Sequence, residues 1–174
     1  MRTGASTIAP MAPRMVTSIW DLPDVPAVYA LYGRAGERER LLFVGVAESL
    51  FERLLEQLVI PSLHFRTPGA GMFMQPGYVG EVRWWEHERF ASSEALRAAE
   101  FVASELLGPL FTSRRPSSPR ARDLFAVDTF RAEMRSVFEG EPSGRALLPT
   151  LDELGRRLAR IEERLGLARE PTAS

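Results

Sequence analysis

A chain of 174 residues with 45% hydrophobic and 26% charged side chains has the balance of one ordinary globular domain with an attached segment, and it is long enough to bury a real core. The absence of cysteine removes disulfides, thiolate metal sites and cysteine nucleophiles, while two histidines, His64 and His87, are too few for a zinc cage. The net charge of -1 excludes a strong general attraction to polyanions. No apolar run approaches the roughly 18 residues of a membrane span, and residues 1–14 lack the continuous apolar region of a secretory signal, so a cytoplasmic location is expected. All 22 basic residues are arginine, whose permanent forked charge suits phosphate as well as lysine does.

Residues 1–15 mix Gly, Ala, Ser, Thr and Pro without periodicity and read as a flexible tail. Two β-rich runs follow at 28–32 and 41–44, separated by Gly33-Arg34-Ala35-Gly36 and a charged stretch that suits a hairpin turn. Ser49 to Glu52 forms an S-x-x-E capping box, and Leu50, Phe51, Leu54, Leu55, Leu58 and Val59 then recur at helical spacing until Pro61. Residues 61–77 read as a long, partly apolar loop, and 79–86, with Trp84 and Trp85, as a third strand. Ser92 or Ser93 caps a second helix that runs to Leu107 and ends at Gly108-Pro109.

Beyond this domain, taken as 16–112, lies a basic connector at 113–122 carrying Arg114, Arg115, Arg120 and Arg122 and no acid. It is the candidate for phosphate contacts, or else a soluble linker. A helix within 123–140, capped by Asp128 or Thr129, carries an apolar stripe of Phe130, Met134, Val137 and Phe138. In the last segment, 149–167, Leu151, Leu154, Leu158, Ile161 and Leu165 alternate at steps of three and four, the a/d seam of a short coiled coil. That seam either pairs with a second copy or a partner protein, or packs back on the domain. The expected class is α/β (α+β): a small three-stranded mixed or antiparallel sheet flanked by helices and followed by C-terminal helices.

Ala27-Val28-Tyr29, Phe43-Val44-Gly45, Arg53 eight positions after Gly45, Glu100, and the ending Leu107-Gly108-Pro109-Leu110-Phe111 together resemble the GIY-YIG nuclease superfamily over about half the chain. The resemblance implies a metal-dependent endonuclease that hydrolyses DNA phosphodiester bonds. Its implied site has Glu100 holding Mg²⁺ or Mn²⁺, Arg53 neutralising transition-state charge, and Tyr29 helping to activate water. Hydrolysing a phosphodiester demands stabilisation of growing negative charge and a nucleophile made from water, which a metal and a positioned cation supply.

Each residue also has a plainer reading. Arg53 suits a solvated pair with Glu52 or Glu56, Glu100 a pair with Arg97 or a distant arginine, and Tyr29 a half-buried strand tyrosine. Gly45 permits a tight or positive-φ backbone between strand and helix. The pattern departs from the family at Phe43, which stands at the second-motif tyrosine and cannot handle a proton. It departs again at Val46 for lysine, Gln57 for histidine or tyrosine, and Thr112 for asparagine. His64, Tyr78 and His87 are candidates to compensate. Between residues 25 and 112 eight arginines face eleven glutamates, a net of -3, which does not favour DNA binding by that region alone. The competing function is a GIY-YIG-fold protein without catalysis that binds nucleic acid or another protein.

Overall fold

The computed structural model describes residues 13–35, 38–59, 76–110, 118–149 and 151–165. Their architecture is mixed α/β, with β1 (Arg14–Val16), β2 (Ala27–Ala35), β3 (Arg38–Ala47), α1 (Leu50–Leu58), β4 (Val79–Trp85), α2 (Ser93–Leu107), α3 (Pro119–Phe125), α4 (Asp128–Glu139), β5 (Gly144–Leu147) and α5 (Leu151–Arg164) in chain order. One sheet runs β1-β5-β4-β2-β3. Strand β2 pairs antiparallel with both β3 and β4, so an antiparallel first hairpin sits inside a three-stranded centre.

The expectation of three strands is corrected at the far edge, where β5 joins β4 antiparallel and β1 joins β5 in parallel, giving five. Both additions are three or four residues long, too short to show a period, and β5 lies in what reads as a turn-rich link. Gly144 makes this pairing feasible because a Cβ there would run into the Trp84 indole. Arg14 and Met15, assigned by sequence to the tail, belong to β1. The hairpin strands also extend through Gly33 to Ala35 and resume at Arg38, so Gly33 continues the strand instead of turning.

Alternation along the strands sorts the core into two faces. Tyr29, Leu31, Phe43 and Trp84 pack with Leu50 and Leu54 of α1 on one side. Val28, Ala30, Val44 and Trp85 pack with α2 and with Phe130, Met134 and Phe138 of α4 on the other. Coverage of both faces explains why β2 is apolar on both sides from Ala27 to Leu31. It also buries both tryptophans of β4, Trp84 at 0% and Trp85 at 4% exposure, so neither offers a face on which a nucleic-acid base could stack.

Helix ends follow local chemistry. The Ser49 hydroxyl accepts from the Glu52 amide at 3.2 Å and the Ser92 hydroxyl from Ala95 at 3.3 Å, each satisfying an orphan N–H. Gly108 closes α2 at φ 62°, its N–H donating to the Ser104 carbonyl. Neither Asp128 nor Thr129 caps α4, whose N-cap is Val127 without a side-chain bond. The end of the expected 113–122 connector is helical: Ser118 caps α3, which carries Arg120 and Arg122. No helix among the described residues is long and apolar enough to cross a membrane.

Candidate active site

Tyr29 comes from the middle of β2, directly opposite Gly45 on β3. Residues paired across antiparallel strands project to the same face, and the phenol fills the space that a side chain at position 45 would need. A Cβ on Gly45 would lie 2.8 Å from Tyr29 Oη and 2.5 Å from the Phe43 ring. Among the described glycines only Gly108 has positive φ and Gly45 lies within β3, so the reading of Gly45 as a tight or positive-φ residue between strand and helix is corrected. Close approach of Tyr29 and Phe43 requires the glycine, not backbone strain.

Helix α1 supplies the next two groups. Arg53 and Gln57 are four residues apart and share one flank of the helix, beside the apolar stripe that seats Leu50 and Leu54. Tyr29 Oη donates to Gln57 Oε1 at 2.7 Å. Burial pushes the Tyr29 hydroxyl pKa from 10.0 up to about 12; Arg53 pulls it down by charge and hydrogen bonding, and Glu100 adds to the rise. Arg53 as a residue is solvent-exposed, and its pKa is raised chiefly by the Tyr29 oxygen, against the partial desolvation of its guanidinium, with further contributions from Glu56 and Glu100. Among its plainer partners, therefore, Glu56 acts on Arg53, as one contributor beside Tyr29 and Glu100.

Glu100 sits on α2, half-buried in a row with Leu96 and Ala103, which are 2% and 0% exposed. The bodies of α1 and α2 cover opposite faces of the sheet, an arrangement that would separate two short side chains. The Glu100 carboxylate nonetheless acts electrostatically on both Tyr29 and Arg53. The three residues that the resemblance implies as catalytic thus interact electrostatically, with Tyr29 and Arg53 also joined by hydrogen bonding. Gln57, read from sequence as a weaker substitute able only to orient water, proves to hold the Tyr29 proton. Its position one turn after Arg53 was the available signal.

Several other candidates fall elsewhere. Phe43, 7% exposed, tilts against Tyr29 with ring centroids 6.2 Å apart and belongs to the core. His87 uses Nδ1 to accept from the Arg89 amide at 3.3 Å and places Nε2 3.7 Å from Glu133. Tyr78 is 50% exposed in a 3-10 turn. Arg120 and Arg122 are exposed on α3, where Arg120 lies 3.9 Å from Glu94; Arg114, Arg115, His64, Phe111 and Thr112 lie outside the described residues.

Chemically, the cluster offers one accessible permanent cation, one carboxylate and one neutral phenol whose proton is committed to an amide oxygen. Burial holds this phenol in its protonated form near neutrality, so it enters the cluster as a hydrogen-bond donor. Among the described residues, no three His, Asp or Glu side chains form a preformed metal cage. A single carboxylate fits an octahedral ion such as Mg²⁺, which takes one or two protein carboxylates and fills its remaining positions with water and substrate phosphate. No protein family, curated protein or solved structure matches the chain.

Proposed function

We propose that the chain is a divergent GIY-YIG-type endonuclease that hydrolyses DNA phosphodiester bonds with the help of one divalent ion. The observation that carries this reading is that the Tyr29 phenol of β2, which Gly45 admits, interacts with Arg53 of α1 and electrostatically with Glu100 of α2. Mg²⁺ or Mn²⁺ held by Glu100 would offset phosphoryl charge and acidify water, supplying the proton loss that Phe43 and Gln57 cannot take up. Arg53 faces solvent and presents its guanidinium to a non-bridging oxygen, stabilising charge that grows in the transition state. Tyr29 acts as a fixed hydrogen-bonding group whose orientation Gln57 sets.

A specific observation favours the second reading, a GIY-YIG-fold module that binds nucleic acid or protein without cutting. Phe43 stands where the family carries a tyrosine, and the remaining phenol is locked as a donor with its pKa near 12. Incubating the purified chain with plasmid, single-stranded and branched DNA in Mg²⁺ and in Mn²⁺ separates the two. The nuclease reading expects metal-dependent cleavage that falls by about a hundredfold or more in Arg53→Ala and Glu100→Ala. Intact DNA in both metals, where a competent GIY-YIG nuclease cuts, removes the enzymatic reading; a salt-sensitive shift of uncut DNA would then support binding.

A further inference from the structure

We propose that α5 pairs in parallel with α5 of a second copy of this chain. Leu154, Leu158, Ile161 and Leu165 are 46, 57, 52 and 65% exposed, a continuous apolar stripe that no other described element covers. A helix of 14 residues is marginal alone in water, and burying this stripe is what makes it stable. Steps of four, three and four fix the heptad uniquely, with Leu154 and Ile161 at d and Leu158 and Leu165 at a.

The charges beside the stripe select its occupant. In that register Arg157 is a g residue and Glu162 the following e residue, and both are exposed. In a parallel pair, g of one helix meets e of the other five positions on, so Arg157 faces Glu162 of the second copy, twice by symmetry. In an antiparallel pair g faces g, which sets Arg157 against the arginines of the other copy. An identical chain in parallel therefore satisfies both stripe and charges. Leu154 at d favours two strands and Ile161 beside Leu158 larger bundles; Arg157 meets Glu162 in any of these parallel assemblies. The proposal does not depend on whether the Tyr29 cluster cleaves DNA.

Light scattering and sedimentation of the full chain across the micromolar range test it. An oligomer is expected, and Leu158→Glu should leave only monomer while the domain's unfolding midpoint in dilute solution, below the association range, stays in place. Arg157→Glu turns two attractions into two repulsions and should weaken association about tenfold; Arg157→Glu combined with Glu162→Arg should restore it. Because the chain has no cysteine, Leu165→Cys gives a clean orientation probe, since equal positions meet only in the parallel form and oxidation should link the copies. A monomer at every concentration, an oligomer that survives Leu158→Glu, a double charge exchange that fails to restore association, or no cross-link through Cys at 165 overturns the proposal.

Discussion

Helices α1 and α5 are both built as stripes, and they meet opposite fates. Leu50 and Leu54 of α1 are 0% exposed, whereas Leu154, Leu158 and Ile161 of α5 are about half exposed, between 46 and 57%. The difference lies in what precedes each helix. Two residues after β3, α1 is delivered onto an open sheet face, and its first N–H, from Leu50, bonds the Val25 carbonyl at 3.0 Å. α5 leaves β5 when α1 already covers one face over β2, and α2 with α4 the other. Amphipathic spacing thus tells which side of a helix seeks cover; chain order decides whether its own fold has any to give.

The largest effect that would break this contrast is at Leu54. Leu54→Ala removes a wholly buried side chain from the interface between α1 and the sheet and should cost about 3 kcal/mol, by lost transfer energy and the cavity left behind. Urea unfolding followed by circular dichroism measures it. A loss below about 1 kcal/mol would mean that α1 is not seated as its burial indicates.

A somewhat smaller effect probes the polar flank by which α1 is also tied down. The Tyr29 hydroxyl is held near 12 in the folded chain against an ordinary 10.0, first by burial. Below pH 10 both states keep the proton and this group leaves stability unchanged with pH. Between 10 and 12 the unfolded chain releases it while the folded chain retains it, so stability falls as pH rises, by up to roughly 2.5 kcal/mol. The measurement compares pH-dependent unfolding of the parent with Tyr29→Phe, which should lack this part of the slope. A Tyr29 that titrates at its ordinary value would show that α1 does not close over the phenol.

Where a side chain's role depends on neighbours in sequence, the chain was easy to read. The Ser49 cap, the Leu50–Leu54 stripe and the Gly108 ending follow from spacing alone, and the hairpin centre from two apolar runs. Strands β1 and β5 escaped because pairing, not propensity, holds segments of three and four residues, and the Gly144 contact with Trp84 is visible only in space. In the candidate site, the position of Arg53 relative to Gly45 was legible. The engagement of the Tyr29 proton by Gln57 was not, since nothing in the sequence says that a strand tyrosine leans toward one flank of the following helix. Burial of both Trp84 and Trp85 was similarly hidden, because it needs helices on both faces of the sheet.

The smallest expected effect is the most pointed, because it concerns the same chemical change as Leu54→Ala in the other helix. Leu158 is 57% exposed, so Leu158→Ala removes no core contact, and alanine favours helix at least as well as leucine. In dilute solution the unfolding free energy should therefore move by less than about 0.5 kcal/mol. If α5 pairs with a second copy, the same variant loses stability only as concentration rises, because association stabilises the folded state by mass action. A large loss already present in dilute solution would place Leu158 against its own domain, and α5 would then stand with α1 as a helix that found cover within the chain.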